Sequence, residues 1–162
     1  MFFKNSKGFT LYELIVVLAI TSIIVAAAVP VYGNFQGKLQ LLDSSADIVQ
    51  ILRTARGQSL VGYNDSAHGV YFVINNSGVD SFIFYQGDSY TARNQDYDQT
   101  TELKSVLAIS NSSFTLSNNN IDINFTKGGL GLPNNTGSLI LSHSITGQKN
   151  ISVNSFGMVE KN

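Results

Sequence analysis

The chain begins with one long apolar run, and the polar and apolar positions after it follow two different periods. In residues 14–29 only Thr21 and Ser22 interrupt the apolar run. Counted from Phe9, the run reaches the length of a helix that crosses a bilayer. The pattern therefore predicts a transmembrane helix over residues 9–30.

The charges around this run predict its orientation. Lys4 and Lys7 precede it, and lysine excess marks the cytoplasmic side of a membrane helix. We expect a single-pass protein of the cytoplasmic (inner) membrane, with the C-terminal domain outside the cytoplasm. Glu13 lies inside the apolar stretch, where an unpaired carboxylate costs a few kcal/mol. A partner for Glu13 is therefore expected.

A secretory signal peptide is the alternative explanation of the same run. Lys4 and Lys7 would form its basic region, and residues 26–28, all alanine, offer a small-residue cleavage site. Cleavage there would release a secreted β-domain binding protein. Glu13 counts against this alternative, because a charge weakens the apolar core of a signal peptide.

Beyond residue 30 the apolar positions recur every three or four residues, which predicts an amphipathic helix over residues 31–61. The apolar positions are Val31, Phe35, Leu39, Leu42, Ala46, Val49, Leu52 and Leu60. Pro30 removes a backbone donor, so we expect a helix kink there. Gly33 and Gly37 weaken helix propensity just after it. The two segments together predict one helix over residues 9–61.

After Gly62 the pattern changes to short β-rich runs separated by Gly, Asn, Pro and Ser. Residues 70–74 and 81–85 are two such runs, and residues 75–78 (Asn-Asn-Ser-Gly) predict the hairpin between them. The further expected strands are Leu103–Ser110, Ser113–Leu116, Ile121–Phe125, Ser138–Leu141, Asn150–Val153 and Met158–Glu160. The predicted fold is α+β, in which the long N-terminal helix packs on an antiparallel sheet of about seven to eight short strands. This sheet forms a β-rich extracytoplasmic domain over residues 62–162.

Composition narrows the functional classes. The net charge is −1 with a pI of about 6.0, so no overall charge attracts nucleic acid. The chain has no cysteine, which excludes disulfides, thiol catalysis and cysteine metal sites.

The residues around the start of the apolar run resemble the processing site of type IV pilin-like proteins. They are Lys7, Gly8, Phe9, Thr10, Leu11, Tyr12, Glu13 and Leu14, followed at the expected distance by Pro30. The resemblance implies a prepilin leader over residues 1–8, cut by a prepilin peptidase between Gly8 and Phe9. The same enzyme would then N-methylate Phe9.

The resemblance also implies a role in assembly. Glu13 would pair with the N-terminus of a neighbouring pilin or pseudopilin subunit. Leu52–Ser59, an arginine-containing helix end before the first strand, resembles the GspH/FimT group of minor pseudopilins and minor pilins. That group often has Ser-Glu where this chain has Gly57 and Gln58. The implied function is a structural subunit of a type II secretion pseudopilus or a type IV pilus-like filament.

The candidate chemical groups give little support to catalysis. His68, expected in a turn before a strand, and His143, expected at the end of one, have no metal-ligand spacing. No serine lies in a Gly-x-Ser-x-Gly elbow. We therefore expect a protein that is not an enzyme, with no catalytic residue, no metal and no cofactor.

Three further features leave questions open. Asp88, Asp96 and Asp98, with Asn94, lie in the expected loop of residues 87–100, where oxygen ligands could hold calcium. The longest loop-like stretch, residues 127–135, is glycine-rich but lacks the order of a phosphate-binding loop. The basic residues are scattered along the chain: Arg53, Arg56, Arg93, Lys104, Lys127, Lys149 and Lys161. A minor pilin that binds DNA or a surface, in DNA uptake or adhesion, therefore stays an alternative, and nucleic-acid binding has no direct support.

Overall fold

A computed structural model describes residues 8–162 of the chain. One helix, α1, spans Leu11–Val61, and nine strands follow it. The chain divides into two compact units, Met1–Gln36 and Gly37–Asn162, and each is described by itself. The α+β class, with a long N-terminal helix and antiparallel β structure, is confirmed.

The nine strands form two antiparallel sheets rather than one. The five-stranded sheet has the order β3-β2-β1-β6-β5, and the four-stranded sheet has the order β4-β7-β8-β9. Two short 3-10 helices, Tyr63–Asp65 and Tyr90–Ala92, precede β1 and β3. The strands are β1 His68–Val73, β2 Ser81–Gln86, β3 Asn94–Glu102, β4 Leu107–Asn111, β5 Leu116–Ser117, β6 Asn120–Phe125, β7 Gly137–His143, β8 Gly147–Val153 and β9 Val159–Lys161.

The hydrophobic core takes one face of each sheet and one face of α1. On the five-stranded sheet alternate residues such as Phe72, Phe84 and Ile123 are buried, as the two-residue period of a strand requires. On the four-stranded sheet, Leu139 and Ile151 are likewise buried. These side chains form a single cluster with the buried residues of α1, so the helix and both sheets share one core.

The buried face of α1 in the second unit differs from the predicted face. Leu39, Leu42 and Leu60 are 42%, 44% and 37% exposed, and Ala46 is exposed as well. The buried residues are Gly37, Leu41, Ser45, Ile48, Val49, Leu52, Ala55 and Ser59. The prediction is confirmed for Val49 and Leu52. It was wrong for the other predicted positions of this unit, because it followed apolar residues, whereas four of the eight buried residues are Gly, Ala or Ser.

Gly37 shows why small residues face the core here. A Cβ atom added to Gly37 would lie 2.6 Å from Cγ2 of Thr146 and 3.0 Å from Cε1 of His143. Such distances are shorter than normal van der Waals contact, so a larger residue at this position would displace the side chains of the turn between β7 and β8.

Asp80 connects the two sheets. Its side chain is 4% exposed. Oδ1 accepts a hydrogen bond from the Asn75 backbone N–H at 2.7 Å, and Oδ2 accepts one from the Ile109 backbone N–H at 2.6 Å. Asn75 lies in the β1–β2 connection and Ile109 in β4, so one carboxylate links a hairpin connection of the five-stranded sheet to a strand of the four-stranded sheet.

The loop expected over residues 87–100 is largely ordered secondary structure. Residues 94–102 form β3, whose residues are mostly exposed and polar. Apolar and polar residues do not alternate there, because this edge strand buries neither face. Tyr90 precedes this strand and stacks on Tyr71 at 3.6 Å between ring centroids, while the Arg93 guanidinium lies 3.7 Å from the Tyr90 centroid.

Two other strand predictions need correction. The strand expected over residues 103–110 begins only at Leu107, because the preceding residues make a turn closed by the Leu107 N–H and the Lys104 carbonyl at 2.8 Å. The strand expected over residues 113–116 is instead the two-residue Leu116–Ser117. The β1–β2 hairpin is confirmed, since Val73 pairs with Ser81 in an antiparallel register.

Candidate functional site

The N-terminal segment places the predicted processing residues at the start of α1. Gly8 and Phe9 precede the helix, and the Phe9 side chain is 87% exposed. A Cβ atom added to Gly8 would have no neighbouring heavy atom within 4 Å among the described residues. The leader before Gly8, with Lys4 and Lys7, lies outside the described residues.

Thr10 and Glu13 form a reciprocal cap at the N-terminus of α1. The Glu13 backbone N–H donates to Thr10 Oγ1 at 3.2 Å. Glu13 Oε2 accepts from the Thr10 backbone N–H and from its hydroxyl, both at 2.9 Å. This is a capping box, in which a Thr and a Glu three residues apart satisfy helix donors that have no partner within the helix. The carboxylate also sits at the positive end of the helix dipole.

Only one oxygen of the Glu13 carboxylate takes part in this cap. Within residues 8–162, Oε1 of Glu13 makes no hydrogen bond. The cap therefore holds the side chain in place and leaves one oxygen able to accept a hydrogen bond from another group.

The apolar part of α1 has the properties of a membrane span. Its mean hydropathy over the best window is 2.8, and none of that window is buried inside the described protein. Both polar interruptions are satisfied within the helix. The Thr21 hydroxyl donates to the Val17 carbonyl at 2.9 Å, and the Ser22 hydroxyl donates to the Ala19 carbonyl at 2.8 Å. Such pairing is what a hydrocarbon environment requires of a polar side chain.

Pro30 lies within α1, and the helix continues beyond it. The kink expected there stays a prediction.

The structure brings together basic residues that the sequence separates. Arg53 and Arg56 on α1 line a cleft of about 430 Å³, and Arg53 also lines a neighbouring cleft of about 650 Å³ with Lys161 of β9. Glu160 is the acidic residue of the first cleft. The described residues contain no carboxylate within 4 Å of either arginine's nitrogens.

Arg56 is held in a narrow channel between two glycines. A Cβ atom added to Gly157 would lie 2.8 Å from Arg56 Nε, and one added to Gly131 would lie 3.4 Å from Arg56 Cγ. Both glycines have positive φ. Arg56 Nε is buried without a hydrogen-bond partner among the described residues. Arg53 is fixed differently, because its Nη2 donates to the Val159 carbonyl at 3.0 Å.

The acidic residues after Gly87 do not come together as a metal site. Asp98 is paired with Arg93, whose Nε donates to both carboxylate oxygens at 2.8 and 3.1 Å. The side chain of Asp88 is exposed. Among residues 8–162 no group of three or more His, Cys, Asp or Glu side chains could hold a metal ion.

The two histidines have different surroundings. His68 is the first residue of β1 and is 1% exposed, so its expected position in a turn was wrong. His143 ends β7, as expected, and its Nδ1 accepts from the backbone N–H groups of Ile145 and Thr146 at 3.1 and 3.3 Å. His143 therefore stabilises the turn between β7 and β8.

The glycine-rich stretch closes the C-terminal end of α1. The Gly128 N–H donates to the Ser59 carbonyl at 2.8 Å, and Gly128 and Gly129 both have positive φ. Lys127 forms an ion pair with Asp65. These contacts make the stretch a structural connection.

Comparison with known proteins adds one finding to this geometry. A family model described as the prokaryotic N-terminal methylation motif matches residues 3–29. No curated protein and no solved structure matches the chain. The matched segment contains Gly8, Phe9 and Glu13, and proteins with this motif are structural subunits rather than enzymes. The matched N-terminal motif, followed by the exposed apolar helix, supports a type IV pilin-like protein.

Proposed function

We propose that this protein is a minor pseudopilin or minor pilin of the GspH/FimT type. It serves as a structural subunit of a type II secretion pseudopilus or a type IV pilus-like filament. The prepilin peptidase cuts between Gly8 and Phe9 and N-methylates Phe9. Residues 9–30 then hold the subunit in the inner membrane, and residues 62–162 lie outside the cytoplasm.

The observation that carries this proposal is the carboxylate of Glu13 on an exposed apolar helix. Its Oε2 is engaged by Thr10, while Oε1 can accept a hydrogen bond from the N-methylated amine of Phe9 in a neighbouring subunit. The cap need not break for this pair to form. In a low-dielectric helix bundle the attraction is much stronger than in water, and an amine buried without its partner costs several kcal/mol.

Three variants separate the charge of Glu13 from its capping role. Glu13→Gln keeps a residue that suits a capping box and removes the charge. Glu13→Val removes both, and Thr10→Val removes the two cap hydrogen bonds of the Thr10 hydroxyl while it keeps the carboxylate. Each variant is expressed in its native host, and leader cleavage, membrane fraction and filament or secretion output are compared with the wild type.

We expect Glu13→Gln and Glu13→Val to be cleaved and inserted normally but to assemble poorly. Thr10→Val should assemble, because its carboxylate is intact. Normal assembly of Glu13→Gln would show that the charge is not needed, and would leave helix capping as the role of this side chain.

A second candidate function is nucleic-acid binding at the basic clefts, as in a minor pilin for DNA uptake. It is favoured by the convergence of Arg53, Arg56 and Lys161, none of which is paired with a carboxylate among the described residues. Clustered guanidinium and ammonium groups bind phosphates and release counterions. Glu160 works against this binding.

Fluorescence anisotropy with a short duplex at two salt concentrations tests this candidate. The double variant Arg53→Ala, Arg56→Ala should weaken binding at least tenfold and lower the slope of log affinity against log salt by about 2. Lys104→Ala is the control, since Lys104 is exposed on the turn before β4. Equal loss in both variants, or no saturable binding by the wild type, would exclude the clefts as a DNA site.

A further inference from the structure

An exposed apolar surface lies around the basic clefts. Three segments form it: the C-terminal end of α1, the connection between β6 and β7, and the connection between β8 and β9. Leu130, Phe156 and Met158 are 68%, 63% and 47% exposed, and Leu60 and Leu132 are exposed as well. A continuous apolar surface of this kind on a folded domain indicates a binding site, whereas single exposed apolar residues do not.

Close contacts at two glycines join the three segments. A Cβ atom added to Gly131 would lie 2.9 Å from Leu60 Cγ, so the β6–β7 connection packs directly on α1. A Cβ atom added to Gly157 would lie 2.9 Å from the Gly131 carbonyl oxygen, so the two connections touch each other. The exposed apolar side chains therefore belong to one surface rather than to three separate loops.

Both connections are closed by their own hydrogen bonds. In the β8–β9 connection, Asn154 Oδ1 accepts from the N–H groups of Phe156 and Met158, both at 3.0 Å. In the β6–β7 connection, the Thr126 N–H donates to the Leu132 carbonyl at 2.9 Å, and the Leu132 N–H donates to Thr126 Oγ1 at 3.0 Å. Because these bonds already fix the backbone, a partner that covers the surface would cause little further loss of conformational entropy.

Arg53 and Arg56 are positioned by backbone groups and keep accessible donors. Arg53 is exposed, and only its Nη2 is engaged, by the Val159 carbonyl. The stem of Arg56 lies between Gly131 and Gly157. Its Nε is buried, but Nη1 makes no hydrogen bond within residues 8–162 and is not one of the buried unpaired nitrogens. Terminal guanidinium nitrogens of both arginines can therefore donate to an incoming anion.

Charge and apolar surface together select the class of partner. Glu160 is the carboxylate that lines the first cleft, and within residues 8–162 no carboxylate oxygen lies within 4 Å of either arginine. A carboxylate fits the guanidinium fork through two parallel hydrogen bonds. Phosphate fits it too, but a DNA duplex presents no large apolar side chains that could cover Leu130 and Phe156. Arg, Met and Phe are, by contrast, enriched in protein–protein interfaces.

We propose that this surface binds a protein segment that presents a carboxylate between large apolar side chains. The carboxylate accepts hydrogen bonds from Arg53 and Arg56, and the apolar side chains beside it cover Leu130, Phe156 and Met158. The inference assigns a protein rather than DNA to the basic clefts, and it does not depend on whether the chain assembles into a filament.

Photo-crosslinking of the full-length chain in its native host tests the class of partner. Phe156 is replaced by p-benzoylphenylalanine, which keeps an aromatic ring at this position. The control carries the same group at Ile145, which is 78% exposed on the β7–β8 turn. Irradiation should give a nuclease-resistant protein adduct from position 156 that the control does not give. Mass spectrometry of the linked peptide should find Asp or Glu flanked by large apolar residues.

Variants of the crosslinking protein locate the contacts. The double variant Arg53→Gln, Arg56→Gln should lower the adduct yield about tenfold. Arg53→Gln alone and Leu130→Ser, both at exposed positions, are not expected to affect folding and should each lower the yield about threefold. Lys104→Gln, exposed on the turn before β4, should leave the yield unchanged.

Charge exchange tests the ion pair itself. Arg53→Glu should lose the adduct, and replacement of the carboxylate in the linked partner segment by arginine should restore it, because the two charges are then exchanged. Leader cleavage and membrane fraction are followed in the same cells. A defect in either contradicts the pilin-like proposal and leaves the crosslinking result to be judged by itself.

Three results would overturn the inference. The first is the absence of a protein adduct from position 156. The second is an adduct with nucleic acid, or one that nuclease removes. The third is the same adduct yield in Arg53→Gln as in Lys104→Gln.

Discussion

Replacement of Asp80 by alanine tests whether one buried carboxylate connects the two sheets. The change removes two hydrogen bonds from backbone N–H groups, at 2.6 Å from Ile109 and 2.7 Å from Asn75. A hydrogen bond to a charged group contributes about 1.5–3 kcal/mol. Water can replace the lost bond at the exposed Asn75, whereas the Ile109 N–H lies in a buried environment. We therefore expect the free energy of unfolding to fall by about 3 kcal/mol, out of a total of about 5–15 kcal/mol.

The assay is thermal and urea unfolding of the full-length chain in mild detergent, followed by the near-ultraviolet circular dichroism of the tyrosines. For a domain of this size the loss corresponds to a melting temperature lower by roughly 10–15 °C. Asp80→Asn should be intermediate, since its single amide oxygen can replace only one of the two carboxylate oxygens, and the amide NH2 cannot accept a hydrogen bond. Asp88→Ala is the control, because Asp88 is exposed and should change stability by about 0.5 kcal/mol or less. If Asp80→Ala and Asp88→Ala lose the same stability, Asp80 does not connect the sheets.

Three other expectations concern processing, solubility and pH. Gly8→Val should leave the leader attached, and mass spectrometry of the wild type should find N-methyl-Phe9 at the mature terminus; a protein beginning at Val29 would indicate a signal peptidase instead. A fragment of residues 37–162 should be a soluble folded monomer in gel filtration, because it retains the buried face of α1; aggregation would contradict the division into two parts. Burial lowers the pKa of His68 below its usual 6.5, so below pH 6.5 the unfolded chain binds a proton that the folded chain excludes. Stability should then fall as the pH falls below 6.5, and His68→Phe should reduce that slope in urea titrations at several pH values.

The sequence alone determined the N-terminal segment. Its motif residues, Gly8, Phe9 and Glu13, lie close together in the sequence at the start of the apolar run. Insertion into a membrane depends on local composition rather than on tertiary contacts. The Thr10–Glu13 cap is also local, because it joins two residues that are three positions apart. The β1–β2 hairpin was predictable for the same reason, since the turn residues between two apolar runs specify it.

The tertiary structure decided which face of α1 is buried. Gly37 and Ser45 face the core and Leu42 faces solvent. At Gly37 the β7–β8 turn approaches the helix closely enough to favour a small residue. A periodic pattern shows which side chains are hydrophobic, but it does not show how close a neighbouring strand or turn comes to the helix. The same limit explains why β3 was not predicted. It is an exposed polar edge strand, and it is a strand because it pairs with β2, which its composition does not indicate.

The basic clefts also depended on tertiary structure. Arg53 and Arg56 are near each other on one helix, but Lys161 lines a cleft with Arg53 only because β9 lies beside α1. His68 of β1 and Gln99 of β3 line one pocket although β2 lies between their strands. Contacts across such sequence separations are set by strand order and register, and no local pattern in the chain specifies them.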